Sequence, residues 1–104
     1  AEREREDILD RVRELDEIAW PAIQAGVERA LKDYAKLGCV CSFGEWQSDV
    51  NAIAVPLRPG GGLPPMALNC GGPAFSLSRE FLLEEVRPRL VMMARRLEES
   101  LGVR

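Results

Sequence analysis

The sequence predicts an α/β (α+β) domain in which helices flank a small antiparallel sheet. Apolar residues recur at helical spacing in two stretches before Gly38 and in one stretch after Ser78. Between these stretches lie three short apolar runs, at 39–42, 50–57 and 65–71, and Gly and Pro bound them, as is common for strands. The predicted order is helix, helix, about three strands, helix.

The first two helices are separated at Trp20 and Pro21. A residue before proline is disfavoured in a helix, whereas proline is tolerated in the first turn of the next one. We expect the second helix to run from about Ala22 to Lys36 and to end at Gly38, a residue type common just beyond helix C-termini. The apolar positions are Ile8, Val12, Leu15 and Ala19 in the first helix and Ile23, Val27, Leu31 and Tyr34 in the second.

The strongest turn signal is Arg58–Pro64, which reads Arg-Pro-Gly-Gly-Gly-Leu-Pro. It predicts a hairpin from Val50 to Gly71, with the 39–42 run pairing nearby. Strand residues alternate between the two faces of a sheet, so the runs can be sorted by face. The large-residue face carries Ile53, Val55, Leu57, Met66 and Leu68, and the small-residue face carries Ser42, Ala52, Ala54, Ala67, Asn69 and Gly71.

A helix is expected to cover the large-residue face, because its apolar side chains must be buried against another element. The small-residue face leaves two alternatives open. It provides room for a small-molecule pocket, or it lets a second helix pack closely against the sheet.

The C-terminal helix is expected to begin after Ser78, a favourable N-cap residue, and to end at Gly102. Pro88 lies inside its apolar pattern and should remove one backbone hydrogen bond and bend the helix. The 71–73 segment, Gly-Gly-Pro, is expected to reverse the chain at the end of the sheet.

The loop after Phe43 carries side chains that could be taken for a functional cluster. Glu45 and Asp49 are a candidate carboxylate pair, but loop carboxylates are usually solvated, and the chain has no histidine for a catalytic triad or dyad. We therefore expect no enzymatic activity. Trp46 could form one wall of a pocket, although an anchoring role in packing is slightly favoured.

The net charge of −3 and the pI of about 5.0 argue against a surface that binds nucleic-acid phosphates. No apolar run is long enough to span a bilayer, and the charged N-terminal residues are unlike a signal peptide. Cys39, Cys41 and Cys70 do not match a zinc motif. We expect buried free thiols in a reducing cytoplasm, with no bound metal or cofactor.

Taken in order, the residues from Leu31 to Gly102 resemble the C-terminal effector-binding domain of the IclR family of bacterial transcription regulators. The first thirty residues match the family only loosely. No single motif is specific to the family, but the order of the motifs, with Pro88 inside the last helix, is. The pieces are Gly38–Ser42, Glu45, Val50–Leu57, Ala67–Pro73, Ser76–Ser78 and the helix that ends in Leu101-Gly102.

The resemblance implies a GAF-like fold: a curved antiparallel sheet with flanking helices and a concave pocket for a small organic acid or aromatic metabolite. It implies a cytoplasmic regulator with no membrane partner, which forms dimers or tetramers. Such a regulator binds DNA only through a winged helix-turn-helix domain outside this sequence. Residues 1–104 are then expected to be the C-terminal part of the effector-binding domain, in truncated form. This agrees with the narrow predicted sheet, which leaves one face and at least one edge poorly covered.

The family's ligand-binding positions fall on Ser42, Ala52, Asn69 and Gly71, all on the small-residue face. This agreement favours a pocket over close helix packing. Family members often carry aspartate at the position of Ser42 and serine at that of Gly71, so hydrogen-bonding groups are fewer here and a bulkier or more apolar effector fits. The alternative function is an oligomerisation module that binds no ligand.

Overall fold

The computed structural model describes residues 2–102, and its elements follow the predicted order. The helices are α1 (Glu2–Leu15), α2 (Trp20–Leu37), α3 (Arg79–Phe81) and α4 (Arg87–Gly102), with a π-helical turn at Leu82–Val86; the strands are β1 (Val40–Phe43), β2 (Val50–Leu57) and β3 (Met66–Pro73). The strands form an antiparallel sheet in the order β1-β2-β3. The predicted α/β class is therefore confirmed.

The chain divides after Lys32 into two compact units, and the first contains α1 and most of α2. In the turn between these helices, the Asp16 carboxylate accepts a hydrogen bond from the Ala19 amide at 3.0 Å. Helix α2 begins at Trp20, two residues earlier than expected, because Pro21 fits its first turn. Neither helix contains a fully buried side chain.

The second unit is built around β2, whose residues alternate between half-buried and buried. Its buried residues are Asn51 and three members of the large-residue face, Ile53, Val55 and Leu57. This confirms the predicted alternation. Met66, at the start of β3, is the exception on that face, since it is 45% exposed. The core is Cys39, Ile53, Val55, Leu57, Leu82, Leu90 and Ala94, so the C-terminal helices cover the large-residue face.

The β2–β3 connection confirms the predicted hairpin. Gly60, Gly61 and Gly62 have φ angles of 72°, 58° and 80°, a left-handed conformation that glycine adopts without steric cost. The amide of Arg58 donates to Glu98 Oε2 at 2.8 Å, which ties the start of the turn to α4.

The expectation that Gly71-Gly72-Pro73 reverses the chain is wrong. These residues extend β3, with Gly71 opposite Ala52 and Pro73 opposite Val50, and the turn follows at 74–76. Neither glycine has a positive φ, so neither supplies the conformational freedom that a reversal would need. Gly71 is instead required by close approach, since a Cβ there would lie 2.9 Å from the Ala52 Cβ.

The C-terminal helix starts as predicted, with Ser78 Oγ accepting from the Phe81 amide at 3.1 Å. Pro88 has no N–H to donate to the preceding turn. The helix widens there into a π turn, in which the Arg87 amide bonds the Leu82 carbonyl. The Arg87 side chain compensates, because its Nε donates to the Leu83 carbonyl at 3.0 Å.

Candidate functional site

A concave region, here called the sheet depression, lies on the small-residue face and has a volume of about 630 Å³. Most of its surface is apolar. Its size is in the range of pockets for small organic ligands. The lining residues are Val40, Cys41, Ser42, Trp46, Asp49, Val50, Ala52, Ile53, Ala54, Asn69, Gly71, Gly72 and Pro73.

All four residues predicted as a ligand site line the sheet depression. Ser42 pairs with Ala52, and Ala52 pairs with Gly71, so these three form one row across the strands. Asn69 lies in the next row on the same face, opposite Ala54. The alternation of side chains therefore placed all four in one location, although contact with a ligand stays a prediction.

The floor of the sheet depression is low because its side chains are small. Gly71 and Ala52 approach so closely that a side chain at Gly71 would disturb the ladder. The polar groups of the floor are the Ser42 hydroxyl and the Asn69 amide. Within residues 2–102 neither side chain forms a hydrogen bond to protein, so both are free to bind a ligand.

The structure adds Trp46 and Asp49 to the lining, from the loop between β1 and β2. Trp46 is 76% exposed, so the slightly favoured expectation that it anchors packing is wrong. The loop holds the indole at the rim of the sheet depression rather than over the core. The sequence predicts a loop here but not the direction of its side chains, because that direction depends on how the β1–β2 connection folds back.

Asn51, on the opposite face of the sheet, stabilises the fold through a partly buried hydrogen bond. It is 8% exposed, and its Nδ2 donates to the Leu77 carbonyl at 2.9 Å. This bond connects β2 to the segment before α3. In β1, the residue that pairs with Asn51 is Phe43. The centre of the Phe43 ring lies 4.9 Å from the Arg79 guanidinium, a cation–π contact.

The cysteines are free, but the expectation that all three are buried is only partly correct. Cys39 is fully buried, whereas Cys41 and Cys70 are half-buried. Burial raises the pKa of the Cys39 thiol, and burial together with the neighbouring Cys39 raises the pKa of Cys41 to about 12. Both thiols therefore stay protonated at neutral pH and are poor nucleophiles.

The fold and the sheet depression define a class, the ligand-binding domain of a regulatory protein, and comparison with solved structures supports it. The chain is similar to an IclR family transcriptional regulator from Brucella abortus, at 41% identity and a TM-score of 0.87, over 96% of this chain and 38% of that one. A protein of Rhodococcus sp. RHA1 assigned as a transcriptional regulator, RHA06195, is 27% identical with a TM-score of 0.64, over 81% of this chain and 33% of that one.

A third similar structure is a double mutant of the PobR transcription factor inducer-binding domain from Acinetobacter, in complex with 3-hydroxybenzoic acid. It is 31% identical with a TM-score of 0.57, over 65% of this chain and 39% of that one. No protein-family model matches the sequence, and no curated protein matches it. The chain belongs to the IclR family, and its coverage of the Brucella regulator is consistent with part of the C-terminal domain. It spans 38% of the length of the Brucella regulator.

No helix within residues 2–102 is both long and apolar enough to cross a membrane.

Proposed function

We propose that this chain is the effector-sensing part of an IclR-type transcriptional regulator and that its ligand, a small organic acid or aromatic metabolite, binds in the sheet depression. The observation that carries the proposal is the convergence of Ser42, Ala52, Asn69 and Gly71 on one apolar concavity. The similar structure of the PobR double mutant is a complex with 3-hydroxybenzoic acid, and this supports an aromatic acid as one candidate ligand class.

In the proposed regulator, the ligand shifts the balance between two conformations of the effector-binding domain. A ligand does so only through a difference in its affinity for the two conformations. A winged helix-turn-helix domain outside this sequence would then bind DNA in one of them. We further propose that the regulator acts in the cytoplasm, as a dimer or tetramer and without enzymatic activity.

A thermal-shift screen against aromatic acids, keto acids and small dicarboxylates tests the ligand-binding function. A ligand that binds only the folded chain stabilises it by about 2.7 kcal/mol when present at about a hundred times its Kd. For a domain of this size, that corresponds to a rise in melting temperature on the order of 10 °C. A folded protein that shows no shift with any compound would favour the alternative, an oligomerisation module without a ligand.

Asn69→Leu is expected to abolish the shift produced by any ligand found in the screen. Asn69 is exposed at the sheet depression, so its replacement should change the free energy of unfolding by no more than about 0.5 kcal/mol. The matched control is Gln24→Leu, another exposed amide replaced by leucine, which lies on α2 outside the sheet depression. Ligand binding should be unchanged in the control. Normal binding by the Asn69 variant would show that the pocket assignment is wrong.

A further inference from the structure

We propose that the sheet depression selects an aromatic ligand that is neutral or positively charged at its polar end. Trp46 is the stacking surface for the ring, and Asp49 is the partner for an ammonium or hydroxyl group. This inference rests on the proposed function and narrows its ligand class, since it disfavours an organic acid whose carboxylate points towards this rim.

Trp46 lies on the rim of an apolar cavity with 76% of its surface exposed. A large aromatic side chain in that position carries apolar area that a ligand would remove from water. Indole also stacks favourably on other aromatic rings and attracts cations through its π face. Among the described residues, Trp46 is neither buried nor part of the core cluster.

The loop that carries Trp46 is held in place by backbone hydrogen bonds. The Gly44 amide donates to the Val50 carbonyl at 2.9 Å, and the Val50 amide donates to the Gln47 carbonyl at 3.0 Å. Gly44 has a φ of 71°, which lets the chain turn sharply after β1. A loop ordered in this way presents the indole at a lower entropic cost than a flexible one.

Asp49 lies at the other end of the same loop. Its backbone carbonyl accepts a hydrogen bond from the Ala74 amide at 2.7 Å, which fixes the backbone there. Among the described residues that line the sheet depression, it carries the only charge, and neither lysine nor arginine is present. The nearby Arg79 lies over the Phe43 ring, which packs against the core on the opposite face. The lining therefore attracts cations and repels anions.

The floor reinforces this preference. Ser42 and Asn69 provide neutral hydrogen-bonding groups, and Ala52 and Gly71 provide none in their side chains. A ligand carboxylate entering this cavity would lose hydration without gaining an ionic partner from these residues, which is costly. An amine or hydroxyl would retain a favourable partner in Asp49.

The test compares three compounds that share one ring and differ in charge: benzylamine, benzyl alcohol and benzoate. In a Trp20→Phe chain, Trp46 is the remaining tryptophan, so its fluorescence reports on the sheet depression. Titrations at neutral pH and constant ionic strength should give the lowest Kd for benzylamine, then benzyl alcohol, then benzoate. Quenching or a shift of the Trp46 emission should accompany binding.

Two pairs of variants identify the groups responsible, with affinities measured by calorimetry. Asp49→Asn should weaken benzylamine binding by about two- to fivefold. It should weaken benzyl alcohol binding less, because the asparagine carbonyl can still accept a hydrogen bond from the hydroxyl group. The exposed control Glu80→Gln should affect neither compound. Trp46→Ala should weaken both compounds by about two- to fivefold, and Trp46→Phe should retain most of the affinity.

The outcomes separate this inference from the proposed function. If benzoate binds most tightly, or if Asp49→Asn leaves the benzylamine preference intact, the charge selectivity is wrong although the cavity still binds aromatic ligands. If the Trp46→Ala variant binds both compounds as tightly as the parent chain, the assignment of Trp46 as the stacking surface is wrong. If none of the three compounds binds to the folded chain, and the broader thermal-shift screen is also negative, both the inference and the proposed function fail.

Discussion

Gly71 and Ala52 face each other in the β2–β3 ladder, and they determine how flat the floor of the sheet depression is. A Cβ on Gly71 would lie 2.9 Å from the Ala52 Cβ and 3.3 Å from the Asn51 carbonyl. The first distance is too short for two methyl groups, so the strands would have to shift. The small side chains here are therefore a steric requirement of this sheet as well as a source of space.

Gly71→Ala is expected to destabilise the fold by about 1–3 kcal/mol, as other overpacked positions do. Ala52→Gly removes the atom that the new methyl group would strike, so the double variant should recover part of the loss. Urea unfolding of the two single variants and the double variant measures the coupling. Strictly additive free energies of unfolding would contradict the close contact.

At the residue scale, the sequence identified the floor of the candidate site but not its rim. Ser42, Ala52 and Asn69 follow from alternation along strands, which is a local property of the backbone. Trp46 and Asp49 belong to a loop, and the direction of loop side chains depends on tertiary hydrogen bonds such as that from Ala74 to Asp49.

The π turn at Leu82–Val86 is the main feature of the second unit at the scale of elements. The Arg87 side chain supports it, because Nε donates to the Leu83 carbonyl at 3.0 Å and Nη1 donates to the Leu37 carbonyl at 3.2 Å. One guanidinium thus satisfies a carbonyl of the widened turn and one at the C-terminal end of α2. Arginine suits this position because its planar group carries several donors in fixed directions.

Arg87→Leu should reduce the free energy of unfolding by about 1–3 kcal/mol, since it leaves two carbonyls without these donors. Arg89→Leu, an exposed change on the same helix, should alter it by no more than about 0.5 kcal/mol. Chemical denaturation monitored by circular dichroism gives both values. Equal effects of the two substitutions would mean that the Arg87 bonds contribute no net stability.

Elements and their order were predictable, but two local conformations were not. Pro88 indicated a disturbed helix, yet whether the helix bends or widens depends on which side chain can satisfy the displaced carbonyls. The 71–73 sequence predicts a turn because glycine and proline are common in turns. It forms a strand because Gly71 can lie against Ala52 where a larger residue cannot.

At the scale of the whole molecule, the first unit leaves some of its large apolar side chains exposed. Leu15 is 85% exposed and Ile18 is 96% exposed, and neither α1 nor α2 buries a residue completely. Leu15 ends α1 and Ile18 lies in the turn that follows, and exposed apolar side chains that lie close together often mark an interaction surface. This favours assembly through the first unit, in agreement with the proposed dimer or tetramer.

We expect the chain to associate reversibly, with an average mass in sedimentation velocity that rises with protein concentration. Ile18→Lys should lower the association because it places a charge where apolar contact is expected. Glu17→Lys is the matched control, since it introduces lysine at the neighbouring exposed position and should have a smaller effect. A monomer at every concentration tested would contradict assembly through this surface.

The sequence by itself determined the fold class, the order of the elements and the two faces of the sheet. These depend on hydrophobic periodicity, strand alternation and turn residues, all of which act over a few neighbouring positions. The four residues of the candidate floor were selected from the small-residue face by the resemblance to the IclR family, and their contact with a ligand stays a prediction. The tertiary structure alone decided the π turn, the strand conformation of 71–73 and the rim formed by Trp46 and Asp49. Each of these depends on contacts between residues distant in sequence, such as Arg87 with Leu37 or Asp49 with Ala74, which local patterns do not encode.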